Sequence, residues 1–221
     1  MYSYRENLVN QLMKIEKQNG VEIAVEVLGK IVNTSAFRVV AKGGICKICV
    51  GLNNLKCMIK ELKKLENKLL EFACSGIDEQ GKFLIEHTGY GQDISPQFVI
   101  KNLSPSAKTI AITLEDLSHP IKGFTHWVIW NIPATNIITK AIPKGKNIDL
   151  YETAKQGLAY GWHRYAGPKP PKGKSHLYRF TIYALDCEIE LSANVFKKSF
   201  LKKAAGHILQ KGEITGEFAT E

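Results

Sequence analysis

The sequence predicts a mainly β domain with a C-terminal helix, preceded by a small α+β extension. Residues 1–66 contain apolar residues at helical spacing, whereas residues 67–221 contain short apolar segments bounded by turn residues. Long loops rich in Gly, Pro and Lys, notably 140–175, separate these later segments. Strand-rich sequence of this kind indicates a β-sandwich or a related fold. We therefore place a domain boundary between residues 66 and 67, and the role of the extension stays open.

The extension begins with a predicted helix over residues 5–18, which Asn19-Gly20 closes. Residues 21–32 suit a strand by their β-branched composition and a helix by the spacing of their apolar residues, and we favour the helix. The segments 36–42 and 45–51 flank Gly43-Gly44, which is typical of a tight β-hairpin.

A second clear helix is predicted over residues 53–71. Its apolar positions recur at alternating steps of three and four residues, and charged residues fill the other face. The stripe covers barely two heptads, which favours a helix packed on its own domain over a coiled coil. A homodimer interface stays open as the alternative. The residues of the stripe are Leu55, Met58, Leu62, Leu65 and Leu69.

The larger domain contains five predicted strands and one helix. The clearest strands are residues 110–115, 125–131 and 177–185, and the weaker ones are 83–86 and 98–101. The C-terminal stretch 193–210 returns to helical spacing.

Three polar side chains lie where predicted strands meet loops: Asp116, His126 and His176. Because side chains alternate along a strand, Asp116 falls on the face of the aliphatic residues before it. The same rule places His126 on one face with Val128 and Trp130. If the first two strands are antiparallel neighbours, His126 begins one strand near the point where Asp116 ends the other. Such positions commonly build binding sites.

Two imidazoles beside Phe124 could donate hydrogen bonds to phosphoryl or carboxylate oxygens. A carboxylate next to them would repel a simple anion, but it could orient a histidine or receive an ammonium group. Structural histidines and a turn-forming aspartate are the alternative.

The sequence gives little indication of a metal site, a catalytic nucleophile or a nucleotide-binding site. Cys46 and Cys49 point to opposite faces of a strand, and no second Cys/His pair stands at zinc-finger spacing. Nucleophile-elbow, phosphate-loop and dinucleotide motifs are absent. We therefore expect no catalytic residues, no metal and no cofactor.

Composition limits the classes of binding partner and the cellular compartment that we expect for the protein. The net charge of +9 is shared by both segments and favours anionic partners, but no nucleic-acid recognition motif accompanies it, so we expect no nucleic acid. Five cysteines, an odd number, indicate free thiols in the cytoplasm. No apolar run approaches the roughly 20 residues of a membrane span.

Six ordered motifs in residues 67–221 resemble the phosphatidylethanolamine-binding protein family in its bacterial and archaeal form, the family that includes the Raf kinase inhibitor proteins. One of them is Phe-Thr-His-Trp-Val-Ile-Trp-Asn-Ile-Pro at 124–133. The others lie within residues 91–96, 114–120, 165–178, 180–186 and 204–216. The resemblance implies a β-sandwich with a C-terminal helix. Residues 1–66 lie outside it.

The resemblance implies a non-enzymatic binding protein whose anion pocket maps onto Asp116, His126 and His176, with Gly167 and Pro168 shaping its wall. The implied ligand is a small anion such as phosphate or phosphoethanolamine, and the implied role is regulation of a kinase or a protease. A protein-interaction module with a vestigial pocket is the alternative. A hydrolase that uses the aspartate and the histidines as acid and base is a weaker one.

One motif departs from the family. Its Asp-Pro-Asp-Ala-Pro is here Asp116-Leu-Ser-His-Pro120, with Ser118 in place of the second aspartate and His119 in place of the small residue. A nearby carboxylate is lost and an imidazole is gained. The ligand preference of the family therefore need not apply to this chain.

Overall fold

The computed structural model describes residues 68–220, which lie within one compact unit, Asn67–Glu221. Several predicted elements lie outside the described residues. They are the helices at 5–18 and 21–32, the hairpin around Gly43-Gly44, and the apolar stripe of the helix at 53–71 as far as Leu65. The domain boundary at residue 66 likewise stays a prediction.

The described residues form a mainly β fold with two antiparallel sheets and one α-helix, which confirms the predicted fold class for this part of the chain. The larger sheet has the strand order β6-β4-β3-β7-β8, and the smaller has the order β1-β2-β5. The elements are β1 (Phe72–Cys74), β2 (Phe98–Ile100), β3 (Thr109–Asp116), β4 (Phe124–Pro133), β5 (Ile137–Ile138), β6 (Lys155–Gln156), β7 (Ser175–Leu185), α1 (Lys197–Ala204) and β8 (Ile208–Ala219).

The main core lies between the two sheets. Ile110, Ile112 and Leu114 of β3 are fully buried there, and the rings of Phe98 in β2 and Phe180 in β7 meet edge to face at 5.0 Å. Burying one such side chain contributes about 1.5–3 kcal/mol. The aliphatic face predicted for the first strand is thus confirmed as the core face.

Helix α1 covers the opposite face of the larger sheet. Its Phe200 is fully buried and stacks on Trp130 at 5.6 Å, in a cluster that includes Ala111 and Val128. Glu115 of β3 accepts hydrogen bonds from Lys197 of this helix and from Arg179 of β7. Burial opposes ionisation of Glu115, but the two cations outweigh it and hold the pKa of this carboxyl below its ordinary value.

The C-terminal prediction was wrong in extent. The helix spans 197–204 rather than 193–210, and residues 208–219 form β8, which pairs with β7 along its whole length. Gly212 weakens the strand pattern locally, but a Cβ atom there would lie 2.1 Å from the Leu70 carbonyl oxygen. The glycine therefore serves a close backbone approach that local sequence does not reveal.

Two other segments differ from expectation. Residues 85–87 form a 3-10 turn instead of the end of a strand at 83–86. Residues 68–71 are not helical, because Leu69 forms a parallel bridge with Lys211. Pairing with a distant residue overrides the local spacing at Leu69, whereas the 3-10 turn is closed by local hydrogen bonds, such as the His87 amide to the Leu84 carbonyl oxygen. Within residues 68–220, no helix has the length and apolar character needed to cross a membrane.

The packing of α1 generates a stability prediction. Phe200→Ala should lower the free energy of unfolding by about 3–5 kcal/mol, because it removes a fully buried ring and leaves a cavity against Trp130. Urea denaturation followed by circular dichroism measures this change. The matched control is Phe196→Ala, one turn earlier and 61% exposed, which should change the stability by less than about 0.5 kcal/mol. Equal losses for the two variants would show that α1 does not anchor the sheet.

Candidate functional site

Strand β4 carries one extra residue opposite β3 at the start of the candidate site. Leu114 pairs with Trp127, whereas its neighbour Glu115 pairs with Thr125, so His126 is the residue in excess. An extra residue of this kind is a β-bulge, which interrupts side-chain alternation and redirects the side chains around it.

The bulge overturns one sequence prediction. His126 does not share a face with Val128 and Trp130, because those two side chains pack in the cluster beneath α1. The ring of His126 instead contacts Tyr178 at 5.2 Å and Phe124 at 5.7 Å, on the face where Asp116 ends its strand. Simple alternation cannot anticipate this placement, although it brings His126 to the predicted neighbourhood.

Asp116 and His176 are in direct contact, as their strand ends suggested. Strand β3 pairs with β7 so that Asp116 lies opposite Tyr178, two residues after His176. The His176 Nδ1 atom lies 2.7 Å from Oδ2 of the buried carboxylate, and the Ser118 amide donates to its Oδ1 at 2.8 Å. Because an ionised carboxylate only accepts hydrogen bonds, Nδ1 of His176 carries the proton. Asp116 therefore orients His176.

His126 is held from its other side. Its Nδ1 lies 3.0 Å from the Ala166 carbonyl oxygen, so Nδ1 donates and Nε2 of the neutral ring has a lone pair. The Nε2 atom is buried and has no hydrogen-bond partner among residues 68–220. Burial lowers the pKa of His126, although the Ala166 carbonyl and the Asp116 carboxylate oppose that shift. The geometry leaves a neutral imidazole with an unused acceptor.

Aromatic rings enclose His126. Tyr160 lies 4.9 Å from its ring, and both Phe124 and Tyr178 contact it edge to face. His119 stacks on Phe124 at 3.8 Å with an interplanar angle of 16°. Burial and the charge of Asp116 raise the pKa of Tyr178 well above its ordinary value, which keeps its hydroxyl protonated. The enclosure limits water near His126 and strengthens any hydrogen bond that its ring makes.

The segment beside His126 is fixed through Gly167. The Gly167 amide donates to Asp93 Oδ1 at 2.6 Å, and Asp93 forms a salt bridge with Arg164 at 2.7 Å. A Cβ atom at position 167 would lie 2.2 Å from the His87 carbonyl oxygen, so only glycine fits. This anchoring fixes the neighbouring carbonyl of Ala166, the hydrogen-bond acceptor of His126.

Pro168 lies farther from the polar centre. It is buried, and its carbonyl oxygen accepts a hydrogen bond from the Gly89 amide at 2.9 Å. Gly89 lines a cleft of about 170 Å³ together with Tyr160, Ala166 and Gly167. Pro168 therefore supports the cleft from behind rather than contacting the histidines.

A second depression adjoins this cleft. It is a groove of about 270 Å³ whose lining includes Ile121, Phe124, Tyr160 and Phe196. Tyr160 lines both depressions and also contacts His126. Of the predicted site residues, Gly167 lines the cleft and Phe124 lines the groove. Asp116, His126 and His176 form the polar centre and line neither.

Three residues that complete this site were not among the predicted site residues: Tyr178, Tyr160 and Ala166. Tyr178 had a usable signal, because it lies two positions after His176 on the same strand face. Tyr160 and Ala166 come from the long loop 140–175, where no periodicity indicates which groups turn inward. Their contribution depends on how the loop folds back onto β4.

Comparisons with known proteins place the chain among relatives. It is 38% identical to the UPF0098 protein PH1269 of Pyrococcus horikoshii over 133 residues, which cover 59% of this chain and 67% of that protein. It is 36% identical to a UPF0098 protein of Archaeoglobus fulgidus over 145 residues, or 66% of this chain. The chain spans about half the length of the Archaeoglobus protein, with 50% of it covered.

Two solved structures share the fold. Escherichia coli YbcL, described as a member of the PEBP family, superposes with a TM-score of 0.61 and covers 69% of this chain and 99% of its own. The PEBP homologue CT736 of Chlamydia trachomatis gives a TM-score of 0.60 and covers 70% and 99%. Both are 23% identical and support the fold alone. The sequence profile described as phosphatidylethanolamine-binding protein matches residues 64–219, so the chain belongs to the phosphatidylethanolamine-binding protein family.

Proposed function

We propose that the chain is a non-enzymatic binding protein that holds a small anion, with a phosphoryl or carboxylate head group, between His126 and His176. The observation that carries the proposal is the buried Nε2 atom of His126, which has no hydrogen-bond partner among residues 68–220. Leaving such an atom unpaired costs about 1–3 kcal/mol. A ligand that completes this hydrogen bond would recover that free energy, and the oriented His176 would supply a second contact.

The neutral state of His126 favours a particular kind of anion. Neutral His126 has a lone pair on Nε2, so it accepts a hydrogen bond from a protonated phosphoryl oxygen or from an ammonium group. The Nδ1 atom of His176 is bound to the Asp116 carboxylate, so Nε2 is the ring nitrogen that remains for a ligand. A ligand that offers both an acceptor and a donor, such as hydrogen phosphate or phosphoethanolamine, matches this pair.

The surroundings of His126 support binding rather than catalysis. Rings of Phe124, Tyr160 and Tyr178 surround the imidazole. A nucleophile needs a lowered pKa or an activating base, whereas the pKa values of Tyr160 and Tyr178 are raised by burial and by the charge of Asp116. These hydroxyls remain protonated, so they are not activated as nucleophiles, and they can form hydrogen bonds to a ligand.

A second candidate function, recognition of a polypeptide, has its own observation. Three large apolar side chains around the site are exposed: Ile121 by 64%, Phe196 by 61% and Trp162 by 61%. Ile121 and Phe196 line the groove that meets the anion site at Tyr160. An anionic residue flanked by apolar side chains would engage the pocket and the groove together. Such an arrangement would suit the regulation of a kinase or a protease.

Ligand titration tests the anion pocket. In a histidine-detected NMR titration with phosphate or phosphoethanolamine, the signals of His126 and His176 should shift at millimolar concentrations, since small ions have few atoms with which to bind tightly. The signal of His207, beyond the far end of β7, should not move. His126→Ala should weaken binding about tenfold or more, because it removes a hydrogen bond to a charged group.

The matched variant for this titration is His207→Gln, which removes an exposed histidine away from the site and should bind phosphate as the natural chain does. Imidazole signals of His126 and His176 that stay unmoved by both ligands would rule out the pocket.

The depressed pKa of His126 generates a pH prediction. Sulfate carries no proton to donate at these pH values, so neutral His126 cannot bind it, whereas the protonated ring can. Sulfate affinity should therefore rise as the pH falls from the ordinary histidine pKa of about 6.5 toward the lower pKa of His126. Calorimetric titrations at stepped pH measure this. In His126→Gln that part of the rise should disappear.

The ligand-free protein should show the opposite dependence. The unfolded chain protonates this histidine more readily than the folded one, so stability should decline as the pH falls below about 6.5. The decline should level off below the pKa that His126 has in the folded state.

The sulfate titration has a contradicting outcome of its own. A sulfate affinity that is the same in His126→Gln and in the natural chain at every pH would contradict the assignment of His126 as a ligand-binding group.

The groove is tested with a peptide probe. A phosphoserine peptide with leucine on both sides should bind about tenfold tighter than phosphoserine alone, because burying even part of two leucines is worth about 1.5 kcal/mol or more. The double variant Ile121→Ser/Phe196→Ser should remove this advantage and leave phosphoserine binding unchanged. Fluorescence anisotropy of a labelled peptide measures both. Equal affinity of peptide and amino acid for the natural chain would eliminate the groove as a recognition surface.

A further inference from the structure

A second cluster of ligand-capable side chains lies at the other end of β7 from His176. Asp186, Cys187 and His207 each offer one donor atom, and these oxygen, sulfur and nitrogen atoms all lie within 4.8 Å of one another. Strand β7 runs from Ser175 to Leu185, so about 30 Å of extended chain separates this cluster from the proposed anion site.

The backbone explains why three side chains converge there. Adjacent residues of a strand point to opposite faces, but β7 ends at Leu185 and residues 186 and 187 form a bend, which allows both side chains to turn toward the same region. His207 lies in the turn between α1 and β8. Because Leu185 pairs with Ile208, the bend and this turn are held side by side.

Backbone and side-chain hydrogen bonds fix each position. The Asp186 amide donates to the His207 carbonyl oxygen at 3.1 Å, and the His207 amide donates to Ala204 at 2.8 Å. The Thr109 hydroxyl donates to the Cys187 carbonyl oxygen at 2.6 Å. The cluster is thus attached to the end of the central strands rather than to a long loop, and preorganised ligands favour metal binding.

We propose that Asp186, Cys187 and His207 form a site for a divalent cation of borderline softness, with Zn²⁺ as the best match. Thiolate, imidazole and carboxylate are the three protein ligands that Zn²⁺ prefers, whereas Mg²⁺ and Ca²⁺ require oxygen ligands alone. Three protein ligands leave the fourth tetrahedral position to water. The cation would join the α1–β8 turn to the end of β7.

Some of the charged groups around the cluster favour the binding of a cation, and others oppose it. His207 Nδ1 lies 2.9 Å from Asp186 Oδ1, and this hydrogen bond lowers the pKa of Asp186 and keeps it ionised. Burial and the neighbouring Asp186 carboxylate raise the pKa of the Cys187 thiol, whereas Lys108 and Lys203 oppose that rise and also repel a dication. Binding of a cation would therefore displace the thiol proton. The side chains of His207 and Asp186 are 46% and 44% exposed, so solvent screens this repulsion.

Cobalt provides a spectroscopic test. A chain carrying Cys46→Ser and Cys49→Ser, two positions outside the described residues, is treated with chelator and titrated with Co²⁺. Thiolate-to-cobalt charge-transfer absorption should develop, and Cys187→Ser should abolish it. His207→Gln should weaken binding at least about tenfold, since even outer groups of metal sites carry effects of that size. The control Glu188→Gln, a neighbouring exposed carboxylate outside the cluster, should bind as before.

A second measurement needs no substitution at the cluster. Alkylation of the natural chain, mapped by mass spectrometry, should be slowed by Zn²⁺ at Cys187, because a coordinated thiolate no longer attacks the reagent. Absorption that persists in Cys187→Ser, or that fails to develop in the chain lacking Cys46 and Cys49, would overturn the proposal. Alkylation of Cys187 at the same rate with and without Zn²⁺ would overturn it as well.

Discussion

The burial of β3 on both faces is the constraint on which the rest of the structure depends. All eight residues of Thr109–Asp116 are buried, with the smaller sheet over one face and α1 over the other. The last residue of this strand is a carboxylate, and a buried charge is tolerated only when it is paired. The contacts of Asp116 with His176 and with the Ser118 amide therefore satisfy a structural requirement, and they also create the polar centre of the site.

Sequence reasoning succeeded where local pattern and tertiary environment agree. The long central strands have core faces that alternation identifies, and the antiparallel pairing of β3 with β4, assumed for placing His126 near Asp116, is present in the structure. Prediction from the sequence failed where contact with a distant segment of the chain determines the conformation. Strand β8 contains Gly212, which admits the Leu70 backbone, and the two-residue strands β5 and β6 are too short to show any period. The observed domain has the predicted fold class, but several of its strand and helix boundaries differ from the predicted ones.

The candidate site shows the same division at the level of single residues. Asp116 and His176 are brought together by strand pairing, which alternation can represent. His126 reaches them only because β4 bulges, and a bulge is a change of register that no single-strand pattern contains. Ala166 and Tyr160, which hold and enclose that ring, arrive from a loop whose path depends on the fit of Gly167 against the His87 backbone. The proximity of these three side chains was predictable from the sequence, but the contacts that surround them depend on tertiary packing.

The two departures from the family motif acquire physical roles in this arrangement. The Ser118 hydroxyl accepts the Leu177 amide at 2.9 Å, and His119 accepts the Ile121 amide while its ring stacks on Phe124. A second aspartate at position 118 would add negative charge beside Asp116 and so favour a cationic group on the ligand. Serine removes that charge without losing the turn. In the proposed anion site, the loss of this charge weakens the attraction for an ammonium group, so we expect hydrogen phosphate to be favoured relative to zwitterions more than in a site with both aspartates.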